Sequence, residues 1–340
     1  MTRQGRFALA LGAAGAAAIL AARQALRNRH AISFEGRVVV ITGGSRGLGL
    51  VMARQFVAEG ARVCLLARDP EELERAREQF PPDAEVMTLR CDIRRRADVR
   101  YATDRLIDKW GAVDVLINNA GVIQVGPLEH MTEEDFEKAM ATHFWGPLHL
   151  MYECVPSMRR RGFGRIVNIT SIGGRIAVPH LAPYCASKFA LVGLSDSVRS
   201  ELQQYGIRVT TVTPGLMRTG SPLNADFKGQ HELEYTWFSI SDSLPGLTIS
   251  AERAARKIIE ACRFGDPELT ITWPAKLAMR VNHIAPRTTA HALAVANSTL
   301  PGPAGNQGDR LKRGRHSETK WTDSFATVLT HKAAVANNEM

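Results

Sequence analysis

The sequence predicts an α/β fold in which a doubly wound parallel sheet of about seven strands carries helices on both faces. Short runs rich in Val, Ile and Leu alternate with longer amphipathic stretches over most of the chain. This alternation is typical of repeated βαβ units. The short runs are apolar almost throughout, as expected for strands whose two faces are both covered.

The elements follow in order along the chain. The predicted strands are Arg37–Thr42, Ala61–Leu66, Glu85–Leu89, Val113–Asn118, Arg165–Thr170, Ile207–Thr213 and Glu268–Thr272. The predicted helices between them are Leu48–Ala58, Pro70–Gln79, Arg96–Trp110, Glu133–Arg160, Pro183–Gln204 and Ala251–Arg263. Runs of five to seven residues have the length of ordinary strands, and the amphipathic stretches are long enough for helices.

The chain divides into four segments. Residues 1–30 are hydrophobic and basic, and residues 31–273 form one domain because no repeat or linker interrupts them. Residues 274–300 are predicted to form a helical extension. After the break at Pro301-Gly302-Pro303, residues 301–340 form a polar tail that we expect to be poorly ordered.

The formal net charge of +9 belongs mainly to the ends of the chain. Residues 1–30 contain five arginines and no acid, and residues 301–340 add +2, which leaves only +2 for residues 31–300. The chain has neither a basic stripe nor a nucleic-acid recognition motif, so we do not expect nucleic acid as a partner. The five cysteines are scattered without a CxxC pair, which indicates a reducing compartment and neither disulfides nor a metal site.

The segment Phe7–Ala22 is an uninterrupted apolar run of 16 residues, nine of them alanine. A helix of this length spans about 24 Å, slightly less than a hydrocarbon core of about 30 Å. Arginines flank the run on both sides, and the heavier charge after it favours a catalytic domain that stays in the cytoplasm. We expect membrane association through residues 7–22, with a cleaved signal or a soluble cytoplasmic protein as the alternatives.

A glycine-rich turn, TGGSRGLG at residues 42–49, stands between the first predicted strand and its helix. Glycines allow the backbone to turn tightly and to approach a pyrophosphate, whose charge meets the free N–H groups at the helix start. The turn therefore predicts a Rossmann-like dinucleotide site. At the end of the second strand, where an NAD enzyme usually has an acid, this chain has Arg68; with Arg46 it can neutralise a 2′-phosphate. We expect NADP(H) as the cofactor, with NAD(H) the less favoured alternative.

With these motifs in order, the chain resembles the short-chain dehydrogenase/reductase family. The further motifs are Asn118-Asn119-Ala120-Gly121, Ser171, Tyr184-x-x-x-Lys188 and Pro214-Gly215, each after a predicted strand or on the helix that follows it. The resemblance covers about residues 36–273. It implies Asp92 near the adenine, Asn119 holding the strands and cofactor, Lys188 on the nicotinamide ribose, and Thr219 near the carboxamide. The predicted cofactor-binding residues are Gly43, Ser45, Arg46, Gly47, Leu48, Gly49, Arg68, Asp92, Asn119, Ala120, Gly121, Tyr184, Lys188, Pro214, Gly215 and Thr219.

The chemistry of the predicted catalytic residues, Ser171, Tyr184 and Lys188, agrees with alcohol–ketone interconversion. Tyr184 and Lys188 are four residues apart and share a helix face. We expect the ammonium to lower the pKa of the phenol, so that Tyr184 acts as general acid in reduction and base in oxidation. Ser171 can polarise the substrate carbonyl. His143 stands where the family commonly has asparagine, and either packing or proton transfer could explain it.

Residues 216–248 occupy the variable substrate lid of the family and are rich in large apolar side chains, among them Leu216, Met217, Leu223, Phe227, Trp237, Phe238, Ile240, Leu244 and Leu247. They predict a lipophilic alcohol or ketone as substrate, although packing in the core or at a subunit interface explains them equally well. A homo-oligomer is compatible with this pattern. The rival function is a nucleotide-binding scaffold or sensor that kept the fold without catalysis.

Overall fold

The central sheet has the predicted α/β architecture. The computed structural model describes residues 21–22, 24–25, 27–244, 246–319 and 328–339. Its seven parallel strands are β1 Val38–Thr42, β2 Arg62–Ala67, β3 Val86–Arg90, β4 Val115–Asn118, β5 Gly164–Ile169, β6 Ile207–Pro214 and β7 Glu268–Ile271. They lie in the order β3-β2-β1-β4-β5-β6-β7, with every neighbouring pair parallel. The prediction of a doubly wound, Rossmann-like sheet is confirmed.

Helices cover both faces of this sheet and continue beyond it. They are α1 Gly47–Ala58, α2 Pro70–Arg77, α3 Arg96–Trp110, α4 Glu133–Met140, α5 Gly146–Arg161, α6 Ala182–Leu202, α7 Ser221–Asn224, α8 His231–Ser243, α9 Ala251–Phe264, α10 Trp273–Ile284, α11 Pro286–Asn297 and α12 Val328–Ala336. A π-helical turn, Ala141–Trp145, joins α4 to α5. Short strands outside the central sheet pair Met217–Arg218 with Ile249–Ser250, and Asp226–Phe227 with both Gln124–Val125 and Lys312–Arg313.

Successive side chains of β1 point to opposite faces of the sheet. They are therefore buried in two different hydrophobic cores, one on each face. Val39 and Ile41 belong to the core that includes α1 and α9. Val38 and Val40 belong to the core that includes α3 and α5. The apolar character of the strand runs therefore reflects burial on both faces, as predicted.

The order of the strands reverses between β1 and β4, since β1 is followed on one side by β2 and on the other by β4. In open parallel sheets the crevice at the carboxyl ends of the strands at this point is the usual ligand site. Here it is bordered by the turn after β1 and by Asn119, directly after β4.

Buried polar side chains link β4, β5, α6 and β6 through hydrogen bonds. The Asn118 amide donates to Asn168 at 2.8 Å, and the Asn168 amide donates to the Ser195 hydroxyl at 2.9 Å. Ser195 in turn lies 2.7 Å from the Thr211 hydroxyl. Apolarity and spacing did not predict this connection, because it depends on which polar residues the sheet register brings together.

Most of the Phe7–Ala22 run lies outside the described residues. Among the residues that the structure describes, no helix is both long and apolar enough to cross a bilayer. Arg27, one of the arginines after the run, binds Asp266 at 2.8 Å and lies 3.9 Å above the Phe264 ring. Arg27 is therefore attached to the folded body at the end of α9.

The described residues after 300 contact the folded body. Within residues 301–319, His130 Nε2 accepts a bond from the Ala304 N–H, and its Nδ1 lies 2.8 Å from Asp309. Residues 328–339 include buried side chains such as Ala334 and Asn337, both fully inaccessible. These contacts join residues far apart in the chain, which composition alone does not reveal.

We predict that Asn168→Ala lowers the free energy of unfolding by about 2 kcal/mol or more, because it leaves buried donors and acceptors of Asn118 and Ser195 without partners. Urea denaturation followed by circular dichroism measures the change. Asn306→Ala, at an exposed position, is the control and should shift the midpoint little. An Asn168→Ala protein as stable as this control would contradict the role assigned to the network.

Candidate active site

The turn after β1 brings the predicted cofactor glycines to the amino end of α1. Gly43 and Gly47 have positive φ values of 62° and 55°, which glycine adopts without strain. At Gly49 an added Cβ would lie 2.2 Å from the Gly43 carbonyl oxygen, so no larger residue fits against the turn. The backbone thus leaves the start of α1 open to close approach, as a phosphate requires.

Asn119 attaches this turn to the end of β4. Its side-chain amide donates to the carbonyls of Thr42 and Gly43 at 3.0 and 3.3 Å. The hydroxyl of Thr42 accepts the N–H groups of Asn119 and Ala120, each at 2.9 Å. Thr42 is a positioning residue that the motif contained but sequence reasoning did not single out.

The predicted groups for the adenosine end are partly engaged with other protein groups. Arg46 hydrogen-bonds to Asn224 and lies 3.6 Å from Glu72, which also accepts a 2.9 Å bond from Ser45. Asp92 pairs with Arg94, whose guanidinium lowers the pKa of that carboxyl. Arg68 is exposed and lies near enough to Asp92 to contribute to the same shift. Any 2′-phosphate at Arg46 must therefore compete with Glu72.

Ser171, Tyr184 and Lys188 are brought together at the carboxyl end of β5. The Ser171 hydroxyl accepts the Gly173 N–H at 3.0 Å and hydrogen-bonds to the Tyr184 hydroxyl. Lys188 is buried one helical turn after Tyr184; its Nζ donates to the Ile169 carbonyl at 2.9 Å and lies 5.7 Å from the centre of the Tyr184 ring. This is the arrangement of a proton donor beside a carbonyl-polarising hydroxyl.

The expected lowering of the Tyr184 pKa does not occur in this structure. Desolvation raises the pKa of Tyr184 to about 12, although the bond from Ser171 opposes the rise. Desolvation also lowers the pKa of Lys188 to about 7, so burial weakens the ammonium charge that the expectation relied on. Tyr184 is consequently protonated near neutral pH, the form that a general acid needs.

His143 lies in the π-helical turn and is fully buried. Its Nε2 accepts the Val122 N–H at 3.1 Å, and its Nδ1 lies 2.7 Å from the Ser187 hydroxyl, which donates to the Tyr184 carbonyl. Burial and the nearby Lys188 lower the pKa of His143 well below its ordinary value. A neutral ring with both nitrogens engaged positions the loop after β4 and the start of α6, which favours packing over proton transfer.

The turn after β6 faces the glycine turn. Gly215 is packed so closely that an added Cβ would lie 2.4 Å from the Thr272 hydroxyl. The Thr219 side chain is buried and bonded to the Ser221 hydroxyl at 2.7 Å. The next residue, Gly220, directs its N–H to the Glu339 carboxylate at 2.6 Å. Sequence reasoning did not identify Gly220 or Glu339, because no motif links residue 339 to the turn.

The predicted lid divides into buried and exposed parts. Leu223, Phe227 and Tyr235 pack in a small core with Val125 and Cys185. Other apolar residues of the lid remain exposed, namely Leu233, Leu244 and Leu247. Core packing, the alternative left open above, thus accounts for part of the pattern.

The cysteine next to Tyr184 is not an activated thiol. Cys185 is buried, and desolvation raises its pKa, which suppresses the reactive thiolate. It packs as a small core residue beside Leu181. No cluster of metal-binding side chains occurs within the described ranges.

Comparison with known proteins places these features in context. Residues 37–227 match the family model described as short chain dehydrogenase. A Dehydrogenase/reductase SDR family protein 7-like from Anopheles gambiae is 35% identical over 58% of this chain; the match spans 64% of that relative, slightly less than two thirds of its length. A 3-ketodihydrosphingosine reductase from Bacteroides thetaiotaomicron is 35% identical, with 58% of this chain and 71% of that protein covered.

A solved structure adds a ligand to the comparison. A metagenomic short-chain oxidoreductase in complex with NADP is 37% identical, with a TM-score of 0.52. The match covers 55% of this chain and 86% of that one.

We predict that the His143 imidazole stays neutral and carries its proton on Nδ1 between pH 6 and pH 8, since the Val122 N–H occupies Nε2. Long-range ¹H–¹⁵N correlation spectra of histidine-labelled protein report both the charge and the tautomer. His143→Asn removes the signal and so assigns it. A ring that titrates within this range, or that carries its proton on Nε2, would refute the assignment.

Proposed function

The chain belongs to the short-chain dehydrogenase family, and from this premise we propose that it is an NADP(H)-dependent oxidoreductase that interconverts a secondary alcohol and a ketone, or an aldehyde, on a lipophilic substrate. The observation that carries the proposal is the meeting of Ser171, Tyr184 and Lys188 at the carboxyl end of β5. A non-catalytic scaffold would have no need of a protonated phenol hydrogen-bonded to a serine hydroxyl.

The residues present fit a dinucleotide. The N–H of Gly47 at the start of α1 and the N–H of Gly220 both point at acceptors from residues 337–339, one of them a carboxylate that stands in for a phosphate oxygen. When bound, the reduced nicotinamide supplies a hydride to the substrate carbonyl carbon. The preference for NADP(H) is supported by Arg46 and Arg68, and by the NADP bound to the metagenomic relative.

Three side chains would polarise the carbonyl, transfer the proton and stabilise the phenolate. The Ser171 hydroxyl donates to the carbonyl oxygen of the substrate and stabilises the charge that develops there. The Tyr184 hydroxyl transfers its proton to the same oxygen as the alcohol forms. Lys188 Nζ, held by the Ile169 carbonyl 5.7 Å from the centre of the Tyr184 ring, would stabilise the phenolate left behind when it carries its proton. In oxidation the same groups act in reverse, with Tyr184 as base.

A lipophilic substrate is supported by surfaces near Tyr184. A groove of about 1400 Å³ is lined by apolar side chains that include Val178, Cys185 and Phe189. Cys185 belongs to the small core with Leu223 and Phe227, and Val178 and Tyr184 both pack against that core. The groove does not include the three catalytic residues, so it supports the class of substrate and not a binding pose. The reductase from Bacteroides thetaiotaomicron is named for a lipid-like ketone.

We further propose that residues 7–22 associate the enzyme with a membrane while its catalytic domain faces the cytoplasm. The apolar run and its flanking arginines support this placement. Because Arg27 is engaged with Asp266, fewer of the following arginines are available for lipid headgroups than the sequence suggested.

Replacing Tyr184 with phenylalanine removes the transferable proton and keeps the ring. We expect turnover to fall by about two orders of magnitude or more, while the affinity for NADPH changes little. Oxidation of NADPH against a panel of hydrophobic ketones measures turnover, and calorimetry measures binding. Near-normal turnover would overturn the mechanism, and no turnover in the unmodified chain with tight NADPH binding would favour the scaffold.

Arg68→Ala should reduce the preference for NADP(H) over NAD(H), because it removes a cation from the proposed 2′-phosphate site. Calorimetric titration of both cofactors into both proteins measures the ratio of affinities. Arg90→Ala, at another exposed arginine at the end of β3, serves as the matched control. Equal affinity of the unmodified chain for the two cofactors would exclude the proposed preference.

Deleting residues 1–22 should move the protein from the membrane fraction to the soluble fraction without loss of activity. This deletion retains Arg27 and its bonds to the folded body. Fractionation by ultracentrifugation at low ionic strength, with immunodetection and an NADPH oxidation assay, measures both properties. Full-length protein that is already soluble under these conditions would rule out the association.

A further inference from the structure

Residues 337–339 lie on the glycine turn, in the part of the crevice where the proposed function puts the dinucleotide. The Asn337 carbonyl accepts the N–H of Gly47 at 2.9 Å, at the first residue of α1. That N–H is one of the free donors that make a helix start suitable for phosphate. A segment of the chain therefore occupies a donor that the cofactor would use.

Asn338 connects the glycine turn to α2 through hydrogen bonds. Its side-chain amide donates to the carbonyls of Ser45 and Glu72 at 2.9 and 3.1 Å, and its oxygen accepts from Arg75 at 3.1 Å. The backbone of Asn338 has a φ of 59°, a conformation that asparagine tolerates better than most residues. These contacts span the glycine turn and α2, the elements that carry the predicted groups for the adenosine end.

Glu339 fills the space between Gly47 and Gly220. Its carboxylate accepts the Gly220 N–H at 2.6 Å, and its backbone carbonyl accepts from Asn224 at 3.0 Å. A Cβ added to Gly47 would lie 3.0 Å from Oε1 of Glu339. A Cβ added to Gly220 would lie 2.6 Å from the Cβ of Glu339. A phosphate cannot share this space with the carboxylate.

The Glu339 side chain is only 5% exposed, and burial raises its pKa to about 7, although the Gly220 N–H and Arg46 oppose the rise. Arg46 and Glu72 are the charged side chains that act on it. A buried carboxyl group that accepts the Gly220 N–H is placed as a bound ligand would be, and not as a surface side chain is.

We propose that residues 328–339 form an autoinhibitory segment that competes with the dinucleotide for the glycine turn, an inference that rests on the proposed cofactor site. The segment must leave the turn before a pyrophosphate can accept the N–H groups of Gly47 and Gly220. Cofactor affinity is thereby reduced by the fraction of molecules in which the segment is docked.

Docking of the segment is coupled to the substrate lid. Ala334 is fully buried in the small core with Leu223, Phe227 and Tyr235 of the lid. An added Cβ at Gly220 would lie 2.8 Å from the Ala334 side chain, so the lid and the segment are in close contact there. Release of the segment removes Ala334 from this core and loosens the lid next to the catalytic residues.

The decisive experiment compares the full chain with the double variant Asn338→Ala/Glu339→Ala. The variant removes side-chain bonds on both sides of the turn, and we expect it to bind NADPH at least about fivefold more tightly in calorimetric titrations. Lys332→Ala/Val335→Ala, at exposed positions of the same segment, is the matched control and should bind as the unmodified chain does.

Two further measurements test displacement, one on the unmodified chain and one on the double variant. Hydrogen exchange should show that NADPH protects residues 43–49 and deprotects residues 328–339 in the full chain. A synthetic peptide of residues 328–340 should weaken NADPH binding to the double variant competitively. Both results would support displacement directly, without relying on catalytic activity.

Equal affinity of the full chain and the double variant, with residues 328–339 still protected when NADPH is bound, would overturn the autoinhibition and leave the proposed function intact. Absence of NADPH and NADH binding to every protein in the set would instead overturn the cofactor assignment, and the competition with it.

Discussion

The active site depends on the attachment of the glycine turn to the end of β4 by Thr42 and Asn119. The strand order reverses between β1 and β4, so the sheet itself opens a crevice there. Four hydrogen bonds between the two strand ends then set the position of the turn. The position of α1 relative to Tyr184, and therefore of any cofactor relative to the proton donor, follows from this attachment.

Burial changes the electrostatics that the residue types suggest. An exposed lysine one turn from a tyrosine would favour the phenolate, but burial lowers the pKa of Lys188 and raises that of Tyr184. The buried Tyr184 phenol therefore keeps its proton near neutral pH. His143 adds no charge to this balance, because it is neutral and bonded to Val122 and Ser187. Its contribution is to hold two loops in register around Tyr184.

The sequence allowed the architecture and the catalytic trio to be predicted because both depend on local patterns. The seven central strands agree with the predicted runs to within a few residues at either end, and the motif residues follow the strands. Helix α8 was not predicted, since its residues were interpreted as lid from their apolar content alone. The Asn118–Asn168–Ser195 network and the contacts of Glu339 depend on pairs far apart in the chain, for which one sequence carries no signal.

The features that suit the glycine turn to a phosphate also make it open to a segment of its own chain. Because Gly47 and Gly220 have no side chains, a compact hydrogen-bond acceptor can approach their N–H groups. Such N–H groups favour an anion, whether it is a phosphate of a ligand or a carboxylate of the protein. A carboxylate on a tethered segment has a high effective concentration, so weak individual bonds suffice to keep it docked. Selectivity for the dinucleotide must then come from contacts that residues 337–339 do not supply, such as those that we propose for Tyr184 and Lys188 with the nicotinamide and its ribose. A ligand that also contacts the proposed catalytic residues would therefore displace the docked segment most readily. Binding of the cofactor and release of the segment from the glycine turn would then occur together.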